Sequence, residues 1–417
     1  MDKFVIHGRE QLNGEVIISG AKNAVLPIMA ATLITPGKFT LRNVPDLRDT
    51  RTMIKLLEII GAKIEFADGV LKIDTIGCDN PVAPYEVVKT MRASFDVLGP
   101  LLGRFQYAKV SLPGGCAWGP RPVDLHLKAM KILGAEVTME GGYIIVKGSA
   151  IGGDINFEIS SVGATKNALM AAVKAKGETV IHNAAREPEI SALVDFLNAL
   201  GAKITRKDTT CLCINGVQRL SDELDFTIIP DRIEAGTFLI TNLMVGGEIK
   251  LIGVNPDHLS IVLTKLKEAG SKLEISQDSI ITKSTAKIKP VDITTGPYPG
   301  FPTDLQAQWM ALMSKAAGAS TVIDEIYRDR FTHVAELNRL GARIKLEQNV
   351  AEVVGVTNLT GAPVMSTDIR ASASLIIAAL AATGKTEVSR IYHIDRGYEK
   401  IEKKLELIGA DIKRAKS

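Results

Sequence analysis

One short phrase recurs six times at near-even spacing and limits the folds open to this 417-residue chain. Its glycine is Gly61 in IIGAKIEF, Gly134 in ILGAEVTM, Gly201 in ALGAKITR, Gly270 in EAGSKLEI, Gly341 in RLGARIKL and Gly409 in LIGADIKR. Successive glycines are 73, 67, 69, 71 and 68 residues apart. Each follows an amphipathic stretch and precedes an alternating one, which predicts a helix stopped by a C′ glycine and turned into a strand. The chemical residues do not repeat in the same way. A symmetric α/β scaffold carrying one asymmetric site is therefore expected.

Six repeats divide into two domains of three, as the length also suggests. Hydrophobic residues make up 46% and charged residues 23%, a soluble globular composition. A net charge of +3 and 5% aromatics argue against a nucleic-acid partner. The start, MDKFVIHGRE, has no secretory apolar core, and LIIAALAATG at Leu375 is too short to span a bilayer. Four cysteines do not make a disulfide framework, so a cytoplasmic protein with no membrane partner is expected. Cys211 and Cys213 share a face of an alternating segment but lack the neighbouring ligands of a metal site. No metal site is assigned.

The first copy shows the unit most clearly. A helix runs from Ala21 through KNAVLPIMAATLI to Pro36-Gly37, and the strand KFTLRNV follows. A second helix stops at Gly61, and AKIEFAD and VLKIDT form a hairpin around Asp68-Gly69. The other first helices fall near Arg92, Lys166, Arg232, Asp304 and Arg370. They are apolar nearly all round, so they belong inside, with sheets wrapped about them. Aligned buried helices gather their positive ends on one side. Lys22, Arg92, Arg232 and Arg370 lie at those ends, and Arg121, Arg330 and Arg396 lie at second-helix starts. The cluster predicts a substrate, or a pair of substrates, with several negative charges. The competing reading pairs each arginine with a nearby carboxylate, Arg330 with Asp329 and Arg396 with Asp395.

The second copy departs most from the others. LPGGCAWGPRPVDLH, from Leu112 to His126, surrounds Cys116 with glycine and proline. A thiol has an ordinary pKa of about 8.5, and nearby cations lower it. Such a thiol can give a proton or act as a nucleophile.

With SGAKNAVLP at Ser19, MRASFDVLGPLL at Met91, the Cys116 loop, PTDLQAQ at Pro302, DIRASASLI and HIDRGYE, the chain resembles the UDP-N-acetylglucosamine 1-carboxyvinyltransferases. These enolpyruvyl transferases begin bacterial peptidoglycan precursor synthesis. The resemblance covers the full length. It implies an inside-out α/β barrel pair, with one domain at 20–229 and the other combining 1–19 with 230–417. It also implies an active site in the cleft between them, and two small-molecule substrates, phosphoenolpyruvate and UDP-N-acetylglucosamine.

The resemblance further implies residue roles. Cys116 protonates the methylene carbon of phosphoenolpyruvate and can form a covalent adduct with it. Asp304 contacts the sugar hydroxyl and helps remove its proton, although alone it reads equally as a helix cap. Lys22, Arg121 and Arg396 meet phosphoenolpyruvate, with Arg330 and Arg370 beside them, and Asn23 orients the reacting groups. Asp368 fixes Arg370 or assists proton traffic. The nucleotide sugar meets Asn23, Arg92, Asp304, Ile326, the stretch Arg121, Pro122, Val123, Asp124 and Leu125, and the helix start Ser161, Val162 and Gly163. His126 reads as an ordinary helix-facing histidine, with uridine contact as the alternative. No cofactor is implied, because lysine and arginine can neutralise the substrate charge. Two rivals remain: a 5-enolpyruvylshikimate-3-phosphate synthase-like enzyme and a catalytically silent anion-binding homologue.

Overall fold

The computed structural model describes residues 2–8, 11–112, 123–285 and 287–416. The chain separates into two compact units, one of residues 20–229 and one joining residues up to 19 with those from 230 onward. Each has its own buried apolar core.

In the 20–229 unit, strand Lys38–Arg42 pairs in parallel with Glu223–Thr227 and antiparallel with Val70–Asp74, which forms a hairpin with Lys63–Ala67. The pattern of one parallel edge strand followed by three antiparallel ones recurs around Tyr107–Ser111 and Glu178–His182. The other unit repeats it around Gly247–Ile252, Ala319–Ile323 and Lys385–Ser389. Its third sheet is completed from the far end of the chain. Strand Asp2–His7 lies between Lys385–Ser389 and Asp411–Lys416, antiparallel to both. Six four-stranded sheets of one topology thus appear among the described residues.

The local reasons are legible at the turns. All six repeat glycines have positive φ, between 82° and 113°. The residue after each donates its N–H to a carbonyl five residues back, as Ala62 does to Leu57 at 2.9 Å and Ala410 to Leu405 at 3.0 Å. That is a Schellman closure, and glycine is the residue that enters it without a Cβ penalty. In the first hairpin Asp68 and Gly69 both have positive φ, which matches the twist of the flanking strands.

The first helices are interior, as their all-round apolar sequence requires. Lys22–Ala31 is buried from Ala24 onward, Arg232–Val245 from Ile233, and Ile369–Leu380 from Arg370. Strands such as Lys38–Arg42 alternate between exposed and buried, with one face on the core.

Several boundaries differ from the sequence expectation. Arg92 and Asp304 lie in 3-10 turns, Arg92–Val97 and Thr303–Leu305, that lead into α-helices. Lys166 is inside helix Val162–Ala172, whose start agrees with the Ser161–Gly163 reading, Ser161 capping it by accepting the Ala164 N–H. Arg330 and Arg396 precede their second helices, which begin at His333 and Ile401. Arg396 instead ends the 3-10 turn Ile391–Arg396. Cys211 and Cys213 are both buried, with Cys213 in strand Leu212–Asn215.

Candidate active site

The expected site residues fall in both units. In the 20–229 unit, Lys22 opens the first helix, and its Nζ lies 2.8 Å from Asp49 Oδ2 at the start of helix Arg48–Ile60. The side chains are 11% and 4% exposed, so this cation sits in a largely dehydrated pair. Asn23 follows on the exposed side. A second buried pair, Lys166 Nζ to Asp96 Oδ2 at 2.7 Å, joins the two later first helices of this unit. Neither aspartate is evident from sequence, since each partner comes from a different element.

Around His126 the structure gathers Arg92, Lys166 and the helix start at Ser161 to Gly163. The ring is buried edge-on against Phe95, with centroids 5.1 Å apart. Asn167 takes the Gly99 N–H on Oδ1 at 2.8 Å, so its Nδ2 donates to His126 Nδ1 at 3.0 Å. The remaining ring edge lies against Gly163, where an added Cβ would come within 2.9 Å. The sequence reading of a packed, helix-facing histidine matches this geometry. Val123, Asp124 and Leu125 precede or begin the same helix, Asp124–Ile132. Cys116, Arg121 and Pro122 lie outside the described residues.

Burial, with Arg92 and Lys166 adding positive charge, pushes the His126 pKa down to about 3. A histidine kept neutral in the fold contributes stability above its unfolded pKa of about 6.5, and loses it as pH falls toward the folded value. Stability should therefore decline between pH 6.5 and about 3. His126→Gln should flatten that decline, removing at most about 1.4 kcal/mol of loss for each pH step crossed. Urea midpoints measured across that range check it; an unchanged slope in the variant would remove His126 as the cause.

In the other unit, Asp304 stands between two arginines. Its Oδ1 is 2.9 Å from Arg330 Nη1 and its Oδ2 is 2.8 Å from Arg370 Nη2. Burial alone would raise the Asp304 pKa, but Arg370 and then Arg330 outweigh it and hold the carboxyl well below its ordinary value. Asp304 lies inside the 3-10 turn Thr303–Leu305, whose N-cap position is Pro302. Asp368 caps its helix, accepting the Arg370 and Ala371 N–H groups at 2.8 and 3.2 Å. Asp368 thus holds the backbone at Arg370 rather than its side chain.

The expected local pairings are replaced by distant ones. Arg330 bonds Asp304, 26 residues away, rather than the adjacent Asp329. Asp395 is bound by Arg414 at 2.6 Å rather than by its neighbour Arg396. Gly397 backs onto Arg370, where an added Cβ would lie 3.8 Å from Nη1. The turn carrying Arg396 therefore reaches the same end of the unit as Asp304, Arg330 and Arg370.

Asp324 is a support that sequence reasoning missed. It is fully buried and accepts Thr303 Oγ1 at 2.7 Å, Thr295 Oγ1 at 2.8 Å, and the Ile326 and Tyr327 N–H groups. Thr303 in turn receives Arg330 Nη1 at 3.2 Å. One carboxylate thus shapes the turn that presents the exposed Ile326 and steadies Arg330. Among the described residues no group of three or more histidine, cysteine or acidic side chains is arranged to hold a metal. No helix among them is long and apolar enough to cross a membrane.

The family model of EPSP synthase (3-phosphoshikimate 1-carboxyvinyltransferase) matches residues 6–405. A UDP-N-acetylglucosamine 1-carboxyvinyltransferase of Chlorobium luteolum is 53% identical, covering 100% of this chain and 99% of that protein. The one from Chlorobaculum parvum is 54% identical, covering 99% and 98%. In three dimensions the chain is similar to the enolpyruvyl transferase NikO from Streptomyces tendae, with a TM-score of 0.90 at 24% identity and coverage of 100% and 99%. It is also similar to EPSP synthase from Acinetobacter baumannii, with a TM-score of 0.79 at 17% identity and full coverage of both chains. These likenesses are to the fold alone. With a family model spanning nearly the whole chain and full-length relatives above half identity, the chain belongs to the enolpyruvyl transferase family, alongside the UDP-N-acetylglucosamine 1-carboxyvinyltransferases.

Proposed function

We propose that this protein transfers the enolpyruvyl group of phosphoenolpyruvate to the 3′-hydroxyl of UDP-N-acetylglucosamine and releases phosphate. The reaction is the first committed step of bacterial peptidoglycan precursor synthesis, and we assign it to the cytoplasm. The observation that carries this reading is identity of 53% over the whole chain to relatives of that name, against 17% to an EPSP synthase structure.

The residues suit the chemistry. The sugar oxygen adds to C2 of phosphoenolpyruvate while C3 gains a proton, giving a tetrahedral ketal. Loss of a C3 proton and of phosphate then restores the double bond. Asp304 takes the hydroxyl proton, and Cys116 supplies the one to C3. Lys22, Arg121, Arg330, Arg370 and Arg396 neutralise the phosphate and carboxylate, so charge is balanced without a metal or cofactor. Asn23, Arg92, the Arg121 to Leu125 stretch, Ser161 to Gly163, Asp304 and Ile326 hold the nucleotide sugar, with the helix start at Ser161 offering N–H groups to its diphosphate.

Phosphate release tests the reading, with phosphoenolpyruvate and either UDP-N-acetylglucosamine or shikimate-3-phosphate. Release with the nucleotide sugar alone is expected. Release with shikimate-3-phosphate would favour the sister activity, and release with neither would favour a silent anion-binding homologue. For the thiol, a small epoxide phosphonate should label Cys116, faster with nucleotide sugar present. Cys116→Asp should retain partial activity, since an acid remains, and lose epoxide sensitivity. Mass-spectrometric label at Cys78, Cys211 or Cys213 instead would count against the assignment.

A further inference from the structure

Arg370 is held by more than its carboxylate partner. Its guanidinium carbon lies over the Tyr398 ring, 5.3 Å from the centroid, while Nη2 bonds Asp304. Its Nη1 is buried and has no hydrogen-bond partner. A buried guanidinium donor left open is costly unless something fills it. Gly397 packs against that flank, where an added Cβ would lie 2.6 Å from Ile369 Cγ2 and 3.8 Å from Arg370 Nη1. The cation is thus fixed on one face and one edge, with a remaining donor unspent.

Tyr398 is itself locked. It is 2% exposed, and its hydroxyl lies 2.8 Å from Thr237 Oγ1 and 3.1 Å from Gln308 Nε2. Thr237 gives its own proton to the Ile233 carbonyl at 2.8 Å, so it accepts from Tyr398. Gln308 Nε2 donates to Tyr398 and also lies 3.0 Å from the Asp304 carbonyl. The hydroxyl is therefore committed as one donor and one acceptor, and the ring cannot swing. The same amide touches the Asp304 turn, so ring, arginine and carboxylate are set by one buried network.

We infer that Tyr398 is a positioning residue for the reaction: its anchored ring orients Arg370, one of the cations assigned to phosphoenolpyruvate. The inference rests on the proposed function. Nothing requires Tyr398 to touch substrate.

The test is steady-state kinetics on the full chain with each substrate varied in turn. Tyr398→Leu removes ring and hydroxyl and should raise KM for phosphoenolpyruvate by about tenfold, as expected for a desolvated cation–π contact. KM for UDP-N-acetylglucosamine should stay within about twofold, a split that a general packing defect would not produce. Tyr398→Phe keeps the ring but frees it from Thr237 and Gln308, so the same KM should rise by about threefold. If Tyr398→Leu does not fold, Tyr398→Phe decides alone. Variants that leave the phosphoenolpyruvate KM unchanged, or raise both KM values equally, overturn the inference. An inactive wild type would instead overturn the proposed function.

Discussion

With Asp304→Asn, turnover should fall by about 10²-fold or more, while affinity for phosphoenolpyruvate holds or rises. The two effects have one origin. Asp304 is an internal anion bound by Arg330 at 2.9 Å and Arg370 at 2.8 Å, the same cations assigned to the substrate anion. Asparagine keeps the shape, removes the proton acceptor, and releases both guanidiniums from an anionic competitor. Nucleotide-sugar binding should weaken only modestly. Calorimetric titration of phosphoenolpyruvate, with turnover by phosphate release, separates the effects. Turnover near wild type would reduce Asp304 to an ion-pair anchor. The pH profile carries a matching constraint. Because the arginines keep the Asp304 pKa below its ordinary value, its ionised form persists as pH falls through the usual carboxylate range. An acid limb above about pH 4 must then come from another group.

Lys22→Ala should cost both stability and turnover, and a second substitution should separate them. Lys22 Nζ sits 2.8 Å from the 4%-exposed Asp49, so truncation strips a partner from a buried charge. Loss of about 3 kcal/mol is expected in urea unfolding. Lys22→Met with Asp49→Leu replaces both charges by apolar groups and should recover most of that loss. Turnover should stay down by about 10²-fold in both variants, because the cation proposed to face the substrate anion is gone in each. Recovery of activity with stability would make Lys22 a structural residue and remove the first member of the proposed anion cluster.

What the sequence disclosed follows the range of the forces involved. The six stops at Gly61 through Gly409 are local, because a left-handed residue at a helix end strongly favours glycine by backbone sterics alone. The buried first helices were equally legible from uniform apolarity. Charge pairing was not. Sequence proximity suggested Asp329 and Asp395, whereas Arg330 and Arg370 reach Asp304 across 26 and 66 residues, and Lys166 reaches Asp96 across 70. Tyr398 lies inside the motif HIDRGYE, yet only Arg396 drew attention there, because a tyrosine signals nothing until its ring is found beneath a cation.

The strand Asp2–His7 has a consequence for how the protein is made. Phe4 and Ile6 are fully buried, and the strand pairs with residues 385–388 on one side and 411–416 on the other. A ribosome adding roughly 5–20 residues per second releases this strand long before either neighbour exists. The 20–229 unit can complete its three sheets while the rest of the chain is still being translated. Strand Asp2–His7 must wait, with both hydrogen-bonding edges unpaired, until residues 385–416 emerge. Nascent protein therefore carries an open template for wrong pairing through most of its synthesis, and an N-terminal fusion that buries or stiffens this strand should lower the soluble yield rather than the activity of the molecules that fold.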